Sequence, residues 1–174
     1  MPMPEMIHDA IALPPVVTDA ETRGTDDHHD SLRLWLRLLT CTQLVERAIR
    51  ARLRQRFSIT LARFDLLAQL ERHPQGLRMG ELSRRMMVTS GNVTGLTNEL
   101  VAEGLVARSP APEDRRAFAI RLTPKGKVAF DAMANEHEQW VIGMLAGVAA
   151  PDRANLYQML GTLKRSVTSM QENR

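Results

Sequence analysis

The sequence has one cysteine, few aromatic residues (4%) and no long apolar run. A single thiol, Cys41, excludes an internal disulfide framework and suits a reducing compartment. Arginine or glycine interrupts each apolar stretch after a few residues, well short of the ~20 that a membrane span requires. No basic leader precedes the short apolar stretch near Pro14 and Pro15, so a secretory signal is not expected. These absences predict a soluble, cytoplasmic protein.

The motifs of enzymes and metal centres are also missing. The sequence has no glycine-rich phosphate loop, no HExxH zinc motif and no cysteine pair at zinc spacing. His28 and His29 lie between Asp27 and Asp30, in a polar stretch that is better explained as a solvated patch than as a metal site. We therefore expect no enzymatic activity, no catalytic residue, no metal and no resident cofactor.

The chain is instead marked by an uneven distribution of charge. Its 174 residues carry a formal charge of +3, and this length suits one ordinary domain. Residues 1–30 carry −6, which leaves +9 on residues 31–174. An acidic, proline-rich segment is typical of a disordered tail, whereas the basic remainder would attract a polyanion.

The spacing of apolar residues predicts a mainly α fold with a small β element. Ser31, Thr60 and Thr123 are the expected helix N-caps, and Gly104 is expected to end a helix in the left-handed conformation. The period changes to two at 105–109 and 117–122, which predicts two strands joined by a charged loop. Helix, helix, short helix, tight turn, helix and hairpin is the order of a winged helix-turn-helix. The predicted helices cover 32–57, 60–72, 79–86, 90–103, 124–145 and the segment from 151 onward.

The helix predicted at 90–103 has the two faces that a DNA-reading helix needs. Val93, Leu96 and Leu100 form its apolar side. The opposite side is small and polar, so that it can enter a major groove and bond to base edges or phosphates. An ordinary solvated helix surface is the alternative explanation. The predicted DNA-binding residues on this side are Ser90, Gly91, Asn92, Thr94, Gly95 and Asn98.

The charged loop between the two predicted strands adds a second DNA-binding element. Arg115 and Arg116 lie near its tip, where an arginine can enter a narrow minor groove. Asp114 is better explained as a carboxylate that orients an arginine than as a DNA contact. A solvated charged turn is the alternative, but the loop follows a helix-turn-helix in the order that a wing requires.

Both ends of the chain have more apolar surface than one small domain can cover. The helix at 32–57 begins with an apolar segment, Leu32–Leu39, and the last helix has a heptad seam. These surfaces predict a homodimer, although an antiparallel pair within one chain would also cover them. We assign 1–30 to the tail, 31–57 with 124–174 to a dimerisation region, and 58–123 to a DNA-binding lobe. The seam residues are Leu156, Leu160, Leu163, Val167 and Met170.

Over residues 31–170 the chain resembles the MarR family of bacterial transcriptional regulators. The resemblance is strongest in GELSRR at 80–85, in residues 93–106, in DRR at 114–116 and in LTPKG at 122–126. It implies a homodimer, joined by the first and the last two helices, that binds a pseudo-palindromic double-stranded operator. Many relatives have a basic residue near the middle of the recognition helix, where this chain has Gly95. The wing is therefore expected to contribute more to recognition.

A narrower resemblance suggests the effector. The stretches LRLWLRLLTCT at 32–42 and RFDLLAQL at 63–70 look like repressors of hydroxycinnamate catabolism that respond to p-coumaroyl-CoA or feruloyl-CoA. An aromatic slot would hold the phenol and arginines would hold the phosphates. Core packing for the aromatic residues and solvated or DNA-facing surface for the arginines are the alternatives. The candidate effector-binding residues are Trp35, Leu38, Arg47, Arg50, Arg63 and Phe64.

Three other functions remain open at the level of the sequence. A MarR-type regulator could respond to a free phenolic acid or another small aromatic compound instead. A redox-sensing repressor would use Cys41, but this cysteine lies near Leu38, Leu39 and Leu44, and we expect it to be buried and structural. A helical dimer could also use its winged helix as a surface for protein partners.

Overall fold

The computed structural model describes residues 29–110 and 118–172, and the fold there is mainly helical, as the periodicity predicts. The acidic segment 1–28 lies outside the described residues. The chain divides into two compact units, one that ends at Leu44 and one that begins at Val45, and α1 contributes to both. The elements are α1 (Asp30–Phe57), α2 (Leu61–Glu71), β1 (Leu77–Arg78), α3 (Met79–Met86), α4 (Ser90–Ala102), β2 (Val106–Pro110), β3 (Phe118–Leu122), α5 (Pro124–Leu145) and α6 (Ala150–Glu172).

Two of the three predicted N-caps are confirmed. The Thr60 hydroxyl accepts a hydrogen bond from the backbone N–H of Arg63, and the Thr123 hydroxyl accepts one from that of Gly126, at 2.9 Å. The prediction for Ser31 is wrong, because α1 begins at Asp30. An acidic side chain in the first turn interacts favourably with the helix dipole, and Asp30 also pairs with Arg33.

The described sheet has three antiparallel strands in the order β1-β3-β2, where the sequence predicts two. The additional strand is short: Leu77 pairs with Ile120 and Arg78 with Ala119. Gly76 precedes it with φ +87°, and a Cβ at this position would lie 2.8 Å from the Ile120 carbonyl oxygen. Two residues are too few for a visible alternation, so the sequence pattern does not reveal this strand.

One apolar core in the second unit holds the helix-turn-helix and the sheet together. Leu53 of α1, Leu82 of α3 and Leu100 of α4 are fully buried in it. Burial of a leucine side chain contributes roughly 2 kcal/mol, so each element is anchored by residues that are costly to expose. The remaining fully buried large side chains are Leu66, Leu67, Leu70, Val93, Thr97, Val106 and Ile120. Among the described residues, no helix is both long and apolar enough to cross a membrane.

Candidate nucleic-acid interface

Helix α4 presents its small polar side to solvent. All six predicted DNA-binding residues on this helix are exposed. Added methyl groups at Gly91 and Gly95 would meet no protein atom within 4 Å, so the protein leaves open space above both positions. The helix can therefore approach a groove closely along the surface that we predict to contact DNA.

The buried side of α4 differs from the predicted one by one residue. Val93, Thr97 and Leu100 are its buried residues, whereas Leu96 is only half-buried. The spacing of four and three places these three on one helical stripe. The Thr97 hydroxyl lies 3.7 Å from the Met79 sulfur, which gives the buried oxygen a weak partner. A pattern of apolar residues does not indicate Thr97, because threonine is polar.

The turn between α3 and α4 is fixed by local hydrogen bonds. The Ser83 hydroxyl donates to the Val88 carbonyl at 2.6 Å, and the Val88 N–H donates to the Ser83 carbonyl at 3.2 Å. Met87 caps α3 in the left-handed conformation, with φ 54°, and its side chain is 91% exposed. These bonds set the angle at which α4 leaves α3.

The base of the wing is connected directly to α4. Arg108 on β2 donates a hydrogen bond from Nη2 to the Asn98 amide oxygen at 2.5 Å. Arg108 cannot be recognised from the sequence, since no helical or strand period relates residues on two different elements. The predicted wing residues Asp114, Arg115 and Arg116 lie outside the described residues, so their contribution to DNA binding stays a prediction.

The predicted effector-binding residues of α1 are mostly at the surface. In the first unit Trp35 is 54% exposed and Leu38 is half-buried. In the second unit Arg47 and Arg50 are exposed, and Arg50 pairs with Glu46 one turn earlier at 2.5 Å. Both exposed arginines are accessible to an anionic ligand. The ion pair of Arg50 with Glu46 is at the surface and contributes only ~0.5 kcal/mol, so it would oppose ligand binding little.

The two candidates on α2 have more buried environments. Phe64 is a core residue, stacked on Phe130 with ring centroids 5.6 Å apart and close to the His137 ring. We therefore assign it to packing rather than to the wall of an open slot. The Arg63 guanidinium is largely enclosed and forms an ion pair with Glu103. This location does not suit a nucleotide phosphate, which is large and strongly hydrated.

A charged cluster flanks these residues where α1, α2 and α5 meet. Asp65 is exposed as a residue, but partial desolvation of its carboxyl group raises its pKa above the usual value. His137, Arg50 and Arg72 lower the pKa of this carboxyl group, while Glu46 raises it. Because acidic and basic groups both surround the Asp65 carboxylate, we assign it no specific ligand.

The prediction that Cys41 is buried is wrong. Its side chain is exposed, Leu44 is exposed beside it, and Leu38 and Leu39 are only half-buried. Leu38 and Leu44 lie three residues from Cys41 on the same face of α1, but they are themselves half-buried or exposed and so do not enclose the thiol. Among the described residues, no group of three His, Cys, Asp or Glu side chains could hold a metal ion.

Comparisons with known proteins agree with a winged helix-turn-helix in which α4 is the exposed recognition helix. Residues 57–117 match a family model described as MarR family. A MarR family transcriptional regulator from Silicibacter pomeroyi is 32% identical, with a TM-score of 0.70, covering 83% of this chain and 99% of that protein. The HTH-type regulator YdgJ of Bacillus subtilis is 28% identical over 65% of this chain and 68% of its own length.

A DNA complex is among the structures with the same fold. Streptococcus pneumoniae FabT, crystallised with DNA, is 24% identical with a TM-score of 0.68, and the match covers 81% of this chain and 99% of that one. At this identity the similarity establishes the fold alone. The family match, the S. pomeroyi structure and the exposed recognition helix together show that this chain belongs to the MarR family and is a DNA-binding transcriptional regulator rather than an enzyme.

Proposed function

We propose that the protein is a ligand-responsive repressor that binds a pseudo-palindromic operator as a homodimer. The polar face of α4 carries this proposal, because it is exposed from Ser90 to Asn98 while the opposite face is fixed in the core. Small hydroxyl and amide side chains can read base edges once the helix lies in a major groove. The pair formed by Asn98 and Arg108 joins this reading surface to the wing.

The exposed seam of α6 supports the homodimer. Leu156, Leu160, Leu163 and Val167 are each 40–46% exposed in a single chain, although they form one heptad stripe. A second copy of α6 would remove this stripe from water. Two recognition helices related by a twofold axis would then meet half-sites about 34 Å apart, one turn of DNA.

Titration with the intergenic DNA upstream of the gene tests the proposal. We expect tight binding that weakens steeply between 50 and 200 mM salt, as counterion release requires. A scrambled duplex of equal length and composition should bind at least ~10³-fold more weakly. Equal affinity for both duplexes would indicate non-specific charge attraction, and no binding at low salt would favour a protein-interaction dimer.

We further propose that the operon serves aromatic-acid catabolism and that a hydroxycinnamoyl-CoA thioester releases the repressor. The exposed arginines Arg47 and Arg50 of the second unit support this proposal, since guanidinium groups bind phosphates well. Taken by itself, the first unit offers an aromatic surface at the exposed Trp35. Calorimetric titration with p-coumaroyl-CoA, feruloyl-CoA and the free acids would test it. Tight binding of a free acid without binding of either thioester would exclude the thioester as effector.

A further inference from the structure

Asn98 has the longest side chain on one stripe of the recognition helix. The helical period places four residues on this stripe, and all of them are exposed: Gly91, Thr94, Gly95 and Asn98. A Cβ added at either glycine would meet no protein atom within 4 Å. A duplex can therefore approach the backbone of α4 closely along this stripe, so that the short side chain of Asn98 reaches the floor of a major groove.

The contact with Arg108 determines which groups Asn98 can offer to DNA. A guanidinium group has N–H donors and no acceptor, so it must bind the amide oxygen of Asn98 and not the amide nitrogen. The Nη2 atom of Arg108 and the Oδ1 atom of Asn98 lie 2.5 Å apart. An oxygen already bonded to a cation is a poor acceptor for a second donor. Asn98 is therefore left with the N–H donors of its amide group, and no described residue accepts a hydrogen bond from them.

Arg108 also presents hydrogen-bond donors alone. Its side chain is exposed, and one of its N–H groups is held by Asn98 while the others remain for DNA. Within residues 29–110 and 118–172, no carboxylate pairs with this guanidinium. The two side chains together therefore form a positively charged surface of donors, held in one position by the bond between them.

We propose that Asn98 and Arg108 read a guanine in the major groove of each operator half-site, an inference that rests on the proposed function. Guanine presents two neighbouring acceptors there, N7 and O6, whereas adenine and cytosine present an amino donor and thymine a methyl group beside one acceptor. A surface of donors satisfies both acceptors of guanine and leaves an amino group without a partner. The usual contact of asparagine with adenine needs the amide oxygen, which Arg108 occupies.

A phosphate oxygen of the DNA backbone is the other source of acceptors. The stripe on α4 favours the base, because Asn98 shares its face with Gly91 and Gly95, and a close approach brings this face to the base edges. Contacts with phosphates carry no sequence information directly. A preference for guanine that depends on Asn98 therefore distinguishes the base from the phosphate.

Selection of bound duplexes from a randomised library tests the inference. The full-length protein should enrich a guanine at symmetric positions of the two half-sites. Asn98→Asp replaces the amide donors with a carboxylate and should abolish the enrichment of this guanine. Asn135→Ala, at an exposed position on α5, is the control and should select the same sequence as the wild type.

Titration of the wild-type protein with modified duplexes tests the same contact without any variant, so its result does not depend on the folding of a mutant. In the selected site, 7-deazaguanine lacks the N7 acceptor and should weaken binding at least ~5-fold. Inosine keeps N7 and O6 and lacks only the amino group in the minor groove, so it should leave the affinity unchanged.

Three results would overturn the inference: a selected site without such a guanine, the same guanine preference in Asn98→Asp, or an unchanged affinity for the 7-deazaguanine duplex. In the last case, a salt dependence that falls by about one contact in Arg108→Ala would assign the pair to a phosphate. A protein that selects no sequence contradicts the proposed function. One that selects a sequence independently of Asn98 contradicts this inference alone.

Discussion

The amide oxygen of Asn98 on α4 accepts a hydrogen bond from the Arg108 guanidinium on β2, at 2.5 Å. Both side chains are exposed, so they meet on the surface that we propose to face DNA. The bond orients Arg108 before any DNA arrives, which lowers the entropy lost on binding. Recognition helix and wing are therefore coupled through one pair of side chains.

Loss of this pair should weaken operator binding. We expect Asn98→Ala to lower the affinity about fivefold, as the loss of roughly 1 kcal/mol predicts. A double-mutant cycle with Arg108→Ala should show coupling, which fluorescence anisotropy with labelled operator can measure. Asn135→Ala, at an exposed position on α5, is the control and should change nothing. Strictly additive effects of the two substitutions would mean that the residues act independently.

Arg116 is a residue of the wing that the sequence predicts to contact DNA. Arg116→Ala should weaken operator binding and reduce the dependence of the affinity on salt by about one phosphate contact. Gel filtration should show an unchanged dimer, because Arg116 lies outside the segments 31–57 and 124–174 to which we assign dimerisation. An affinity equal to that of the wild type would remove the wing from the DNA interface.

The seam of α6 gives a prediction for assembly. Leu160→Glu places a charge on the apolar stripe and should raise the dimer dissociation constant more than tenfold, since burial of an unpaired charge is unfavourable. Gln158→Glu adds the same charge to the same helix outside the stripe and should leave the dimer intact. Light scattering during gel filtration separates the two outcomes. A stable Leu160→Glu dimer would place the interface elsewhere.

Gly126 should tolerate no side chain. A Cβ there would lie 1.8 Å from the Leu105 carbonyl oxygen, so Gly126→Ala must push α5 away from the start of β2. We expect a loss of about 3 kcal/mol or more in the free energy of unfolding, measured by urea denaturation. Gly143→Ala, also on α5 but with no atom within 4 Å of the new Cβ, should instead stabilise the helix by ~0.5–1 kcal/mol. Similar stability of the two variants would contradict the close packing.

The sequence predicted those parts of the fold that depend on local chemistry. Thr60 and Thr123 cap helices as expected, and Gly104 adopts the left-handed conformation that its position at a helix end indicates. Strand β1 does not follow from the sequence, because its two residues are defined by their pairing with β3 rather than by any pattern of their own.

The candidate sites were harder to predict than the fold. The exposed face of α4 followed from helical periodicity, since side chains three and four residues apart share a face. The contact of Arg63 with Glu103 joins residues 40 positions apart and depends on how α2 packs against α4. The prediction that Cys41 is buried is wrong because apolar neighbours on the same helix face do not bury a side chain when they are themselves exposed or half-buried.

The carbonyl group of Leu105 has a mechanical consequence. It accepts the backbone N–H of Thr123 at 3.1 Å, and Gly126 rests directly against it. Thr123 also donates its hydroxyl hydrogen to the Gly104 carbonyl, so the backbone segments 104–105 and 123–126 are tied at a single point. The hairpin formed by β2 and β3 and the helix α5 that follows it must therefore move as one rigid unit. In the homodimer that we propose, an effector that changes the distance between the two DNA-binding lobes would therefore have to bend the chain elsewhere.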